Sequence, residues 1–339
     1  MTEVATGRKQ EKIAKYRDVR DRGAAWLLDQ MNPDGSLGNP EEGFHFYRAP
    51  WTFTQVGATH AAAAICGWIR REMLTRDGKI AGAYRRFDDG YAYRNATLIV
   101  GAHRARQYDL SLGLIEALAE WQDPISGGCS NDLLPDGSMS DDMDIPYACG
   151  PGFAFLDAGQ IDRARRVYDF LKTIYEVQTE LPTRFYYAWS RTEQNVITEF
   201  SEEARFGRLV DNQAAVRQRW TIGGISAGFL CRLYMADPNP DYLRLATKYQ
   251  EFSMASTDRQ FEYPQVCKSS WGSSLLYELT GDERYEEWTY RMGDWYAETQ
   301  QADGCWAWDS YKTLGNKVEL TLEFVMHVDT IIGGLASRP

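Results

Sequence analysis

Two kinds of helical segment alternate along this chain, and that alternation limits the fold more than any single motif. Segments such as "DRARRVYDFLKTIYEVQ" (162–178) and "ERYEEWTYRMGDWYAETQ" (283–300) carry charge along one face. Those between them, such as "RWTIGGISAGFLCRLYMAD" (219–237) and "VELTLEFVMHVDTIIGGL" (318–335), are rich in Gly, Ala, Ser and apolar or aromatic residues. A charged face suits a helix with one side in water; a small-residue helix suits one packed on all sides. The apolar spacing predicts twelve helices with little strand, the first over about 11–31. The six small-residue helices are expected at 51–66, 91–104, 145–158, 218–235, 264–279 and 318–335. Glycines in a helix cost about 1 kcal/mol each, so Gly57, Gly101, Gly150, Gly152, Gly223, Gly224, Gly228 and Gly272 need a packing reason. Six outer helices around six inner ones supply it: an all-α (α/α)6 barrel, expected as one domain over 1–339.

Composition removes several function classes. The net charge of -11 opposes a nucleic-acid partner, because phosphate binding needs clustered Lys and Arg and no such run occurs. No segment approaches the roughly 18 apolar residues of a membrane span, and the charged opening lacks a signal-peptide core, so a cytoplasmic protein is expected. Six widely spaced cysteines without a CxxC pair read as reduced, buried thiols. No nucleotide motif and no metal motif stands out, so no cofactor is expected and the partner is a small-molecule substrate.

One turn recurs. "DQMNPDGSLG" (29–38) and "QQADGCWAWDSYKTLG" (300–315) both place a glutamine and an Asp-Gly pair between a charged helix and a small-residue one, and "WQDPISGG" (121–128) is a looser copy. Glycine there allows backbone that a Cβ disfavours. These turns resemble the QW-type repeats of the terpenoid-cyclase and prenyltransferase α/α toroids. "SSLLYELTGDERYEEW" (273–288) resembles the helix junctions of six-hairpin glycosidases, and "YACGPGFAFLDAG" (147–159) the inner-helix motifs of lanthipeptide cyclases. The resemblances imply one architecture and more than one chemistry.

The outer-to-inner connections are the long ones (32–50, 78–90, 124–143, 179–216, 301–317), so the functional face is expected at that rim, lined by the first turns of the inner helices. Trp51, Phe53, Tyr91, Tyr93, Tyr147, Trp220, Tyr263 and Trp271 fall there, and Trp306 and Trp308 are placed to overhang it. Aromatic walls stack on sugars, hold flat apolar ligands or face cations, and they also build plain core. In "SMSDDMDIPY" (138–147), crowding would raise a carboxyl pKa; Asp142 is the expected proton donor and Asp144, before Ile145-Pro146, the expected helix cap. The segment resembles the Asp-rich acid motif of class II terpene cyclases and the Asp-rich segment of unsaturated glucuronyl hydrolases. Asp88 and Asp89 offer a second carboxylate pair or a simple turn. On the last helix Glu319, Glu323 and His327 share a face, which suits either an acid/base pair or a structural contact. Arg217 and Arg219 either hold a carboxylate or phosphate or start a solvated helix; His60 and His103 are expected in the core. Three functions stay open: a cofactor-independent cyclase, isomerase or lyase on a small apolar metabolite, a carbohydrate-active hydrolase or lyase using paired aspartates, and a non-catalytic binding toroid.

Overall fold

A computed structural model describes residues 3–74, 91–132, 134 and 136–338. Among these are twelve α-helices: α1 Glu3–Asp29, α2 Ala49–Gln55, α3 Thr59–Glu72, α4 Tyr91–Arg104, α5 Tyr108–Ala119, α6 Ile145–Asp157, α7 Ile161–Glu176, α8 Thr221–Ala236, α9 Pro240–Met254, α10 Ser269–Thr280, α11 Glu283–Thr299 and α12 Leu314–Ala336. The even-numbered helices pack in sequence, α2 on α4, α4 on α6, α6 on α8, α8 on α10 and α10 on α12, and α12 returns to α2. That closes an inner ring, with the odd-numbered helices outside, and confirms the (α/α)6 toroid. Close approach explains the inner glycines: a Cβ on Gly101 of α4 would strike the backbone of Pro50 and Trp51 at the start of α2. On α12, a Cβ at Gly334 would lie 2.7 Å from the carbonyl oxygen of Ser274 in α10.

Boundaries differ: the first helix, expected over about 11–31, is Glu3–Asp29, and the inner helix expected at 264–279 starts at Ser269. The expected inner helix 51–66 is two elements: inner α2 stops at Gln55, Gly57 takes φ +80°, the Ala58 amide donates to the Phe53 carbonyl at 2.7 Å, and 59–72 runs back as outer α3. The alanine run "HAAAAIC" therefore belongs to the outer layer, where His60 is exposed and not in the core. His103 is half-buried, its Nδ1 3.2 Å from Ser111 Oγ. All six cysteines are buried.

Among the described residues, strand is confined to the rim. β1 (Asp142–Asp144) pairs antiparallel with β3 (Ala188–Ser190), with Asp142 opposite Ser190, and β3 pairs with β4 (Asn195–Val196). β2 (Arg184–Tyr186) pairs with β5 (Leu209–Asp211). These ribbons fold the long 179–216 connection over the starts of α6 and α8. At the seam between chain ends, α1 packs on α11 and α12: Tyr16 Oη donates to the Tyr290 carbonyl at 2.9 Å, and Arg20 meets Asp329 at 2.8 Å.

Candidate active site

Three elements bring charge to the long-loop end of the barrel. Arg48 sits directly before α2, whose first turn contains Pro50. Lys268 ends a 3-10 turn, Pro264–Lys268, and directly precedes α10. Glu319, Glu323 and His327 repeat every four residues on α12, so one helix face carries all three. Arg48, Lys268 and Glu323 meet at the floor of a cavity of about 300 Å3, lined also by Tyr93, Tyr147, Phe206, Arg217, Arg219, Gln265 and Tyr311.

Glu323 is the centre of this floor. Its Oε1 pairs with Lys268 Nζ, its Oε2 lies 3.1 Å from Arg48 Nη2, and it is 8 % exposed. Burial opposes its ionisation, yet the two cations outweigh that and hold its carboxyl well below the usual range. Burial likewise disfavours the Lys268 ammonium, and Glu323 more than restores it. Arg48 also reaches Glu319 (3.3 Å) and Tyr93 Oη (3.3 Å). Glu319 accepts from Tyr47 Oη at 2.7 Å and sits 2.9 Å from His45 Nδ1; although burial pushes its pKa up, His45, Arg94 and Arg48 bring it down to about 2.

His327 lies beneath this floor. It is fully buried, its Nε2 is 3.6 Å from Glu323 Oε1, and among the described residues neither ring nitrogen has a hydrogen-bond partner. Burial lowers its pKa to about 4, against the pull of Glu323, so at neutral pH the imidazole is uncharged. The Trp271 ring packs edge-on at 5.2 Å, stacks on Phe153 at 4.5 Å and meets Trp51 at 5.6 Å. Cys267, Glu323 and His327 present ligand atoms within 4.8 Å of one another, the one such group among the described residues. Those atoms suit a soft divalent ion, but both Glu323 oxygens already face cations, and such an ion would have to displace one of them.

The structure separates the residues singled out in the sequence. Glu323, Tyr93, Tyr147 and Arg217 line the cavity. Trp51 and Trp271 form the apolar layer under it, and Trp220 is buried at the start of α8. Trp306, expected to overhang the cavity, is fully buried, its Nε1 donating to the Tyr296 carbonyl at 3.0 Å. Trp308 donates to the Glu262 carbonyl and packs on Trp295; neither it nor Tyr263 lines the cavity. Tyr91 is the first residue of α4, with its side chain outside the described set, and Asp88 and Asp89 also lie outside the described residues.

Of the two rim aspartates, Asp144 is the helix cap, as expected. Asp142 lies on β1 at the edge of the ribbon, half-buried and 2.7 Å from Arg208 Nη2. Asp144 caps α6 by accepting from the Tyr147 amide at 2.9 Å and pairs with Arg219 at 3.0 Å. It is 2 % exposed, and burial pushes its pKa up to about 6 against the pull of Arg219. The buried carboxyl with the raised pKa is thus the cap. Arg48, Lys268, Arg219, Gln265, Tyr311 and Phe206 complete a lining that the aromatic count alone does not indicate.

No protein-family model and no curated protein matches the sequence. Solved structures do share the fold. A D-mannose isomerase aligns with a TM-score of 0.68 at 14 % identity, covering 93 % of this chain and 96 % of that one. A family 76 glycoside hydrolase from a bovine Bacteroides thetaiotaomicron strain gives 0.63 at 11 %, covering 94 % and 77 %. A type II terpene cyclase from Scytonema, in complex with geranylgeranyl dihydroxybenzoate, gives 0.60 at 12 %, covering 96 % and 99 %. The chain is an α/α toroid like these; identities this low carry the fold and no reaction.

Proposed function

We propose that the protein is an isomerase that moves a proton on a small hydroxycarbonyl compound of about monosaccharide size. The observation that carries this reading is the ionised, nearly buried Glu323 held between Arg48 and Lys268 where the cavity ends. Proton abstraction beside a carbonyl needs a base and fixed positive charge for the oxyanion that forms. Arg48 and Lys268 hydrogen-bond the substrate carbonyl oxygen; as they turn toward it they withdraw from Glu323, whose basicity rises when the base is needed. Glu323 takes the proton from the hydroxyl-bearing carbon next to the carbonyl, the enediolate rests on the two cations, the hydroxyl proton passes to the former carbonyl oxygen, and return of the first proton to the former carbonyl carbon gives the isomer. His327, neutral and out of reach of the cavity, is a positioning residue behind Glu323.

This reading departs from the apolar metabolite expected from the aromatic residues, because charged groups line the space while Trp51 and Trp271 lie below it. The D-mannose isomerase that shares the fold is compatible with it but does not carry it. Incubation with aldoses and ketoses in D2O should place deuterium at the exchanged carbon, detected by mass spectrometry. Glu323→Gln should lower exchange by about 10²-fold or more while leaving the protein folded. Absence of exchange with the whole panel, alongside turnover of a polyprenyl compound, overturns the proposal.

A further inference from the structure

The cavity has more positive charge than its carboxylates balance. Four cationic side chains line it: Arg48, Arg217, Arg219 and Lys268. Their ion-pair partners are three carboxylates, Glu319 and Glu323 for Arg48, Glu323 for Lys268, and Asp144 for Arg219. The surplus falls on Arg217, in a protein whose net charge is -11. Electrostatics across the whole molecule would not select a cation here, so its position asks for a local reason.

Among the described residues, Arg217 is held by neutral groups only. Its Nη2 donates to Tyr311 Oη at 2.9 Å, and the Gln265 amide oxygen, oriented as an acceptor, lies 3.0 Å from Nη2, 3.2 Å from Nε and 3.0 Å from Tyr311 Oη. Gln265 is 9 % exposed, so a nearly buried amide holds the guanidinium in place. Phe206 stands between the two mouth arginines, its ring centroid 4.9 Å from Arg217 Cζ and 5.4 Å from Arg219 Cζ. A guanidinium set against a ring and braced through Nε and Nη2 keeps the two hydrogens of Nη1 for a ligand, a charge-assisted donor for an oxygen of a carboxylate or phosphate. Among the described residues, no carboxylate pairs with it.

Resting on the isomerase reading, which places the reacting carbonyl at Arg48 and Lys268, we infer that the substrate carries an oxyanion group, a carboxylate or a phosphate, and that Arg217, oriented by Gln265 and Tyr311, binds it at the cavity mouth. The reacting end then faces the floor and the anionic end faces Arg217, so one substrate orientation is selected. A neutral sugar of the same size leaves Arg217 without a partner and binds more weakly.

The test reads binding, and so stands apart from turnover. Calorimetry at fixed ionic strength would compare D-glucose, D-glucuronate and D-glucose 6-phosphate as probes on the full chain. A charge-assisted hydrogen bond corresponds to roughly 10- to 100-fold in affinity, so at least one anionic probe should bind that much more tightly than D-glucose. The gain should disappear in Arg217→Gln and return in part in Arg217→Lys. Preference for glucuronate assigns a carboxylate, and preference for the 6-phosphate assigns a phosphate. Equal binding of all three, no binding of either anion, or a gain that survives Arg217→Gln overturns the inference. Loss of deuterium exchange with the affinity ratio intact would count against the isomerase reading alone.

Discussion

At the scale of single residues, burial rather than sequence neighbourhood decides which groups are chemically unusual, and pH is the way to see it. His327 keeps a folded pKa of about 4 against an ordinary 6.5. Between those values the unfolded chain binds a proton that the folded chain refuses, so stability is lost as pH falls through that window. From pH 7.5 to 5.0 the loss assigned to His327 is about 2 kcal/mol. Asp144 works against it: its folded pKa of about 6 exceeds the ordinary 3.8, so the folded state gains relative stability as pH falls from 6 toward 3.8. The total curve therefore hides both groups, and the informative quantity is the difference between proteins. Urea unfolding at the two pH values should show that His327→Gln, whatever its stability at pH 7.5, loses about 2 kcal/mol less than the parent on acidification. An identical loss in the two proteins would mean that His327 titrates normally. The residue pattern around this site was only partly legible. The four-residue spacing of Glu319, Glu323 and His327 placed them on one face, but the Arg48 and Lys268 partners come from helix starts 220 positions apart, and no local pattern joins them.

At the scale of elements, the recurring Gln, Asp-Gly turn is a clip between neighbouring outer helices. Gln300 Nε2 donates to the Val19 carbonyl on α1 at 2.9 Å, and a Cβ on Gly304 (φ +99°) would lie 2.7 Å from the Arg22 carbonyl of that helix. The looser copy does the same halfway round: Gln122 Nε2 donates to the Arg163 carbonyl at 2.9 Å, and Gly127 (φ +81°) lies against the Arg166 backbone of α7. Gly35 sits likewise over the Ala64 carbonyl of α3. Each turn thus ties one outer helix to the next, which is why its spacing shows in the sequence. A control makes this testable. Gly137 has the same backbone sign, φ +85°, but a Cβ there would meet nothing within 4 Å. Gly137→Ala should cost only the left-handed penalty of about 1–2 kcal/mol, while Gly127→Ala should cost at least twice that by forcing the turn off α7. Equal midpoint shifts in thermal unfolding would remove the clip. The helix periodicity made most of the elements readable to within a few residues, because the inner and outer layers differ in composition. It failed at 51–72, where "THAAAAIC" is as small and apolar as an inner helix and only the Gly57 turn separates α2 from α3.

At the scale of the molecule, the ring closes through its two chain ends, and closure should make the ring unfold together. α1 is outer helix to the last inner helix, α12, and neighbour to α11. Lys12 and Lys15 both reach Asp294 of α11, at 2.6 and 2.9 Å, and Arg20 reaches Asp329 of α12. Fully buried Tyr16 lies over Gly293, and Trp306 packs against Gly23. The exposed ion pairs contribute little, about 0–1 kcal/mol each. The apolar seam matters more, since uncovering Trp306, Val325 and the α11–α12 junction would present a contiguous apolar face to water. The long-range seam also cannot form until both partners are present, so α12 lacks its outer cover without α1. Urea unfolding of the full chain should give coincident transitions by circular dichroism and tryptophan fluorescence. Removing residues 1–32 should give aggregated protein or a broad, non-coincident transition, whereas a monomer with the parent's midpoint would show that the remaining helices hold the inner ring without the seam.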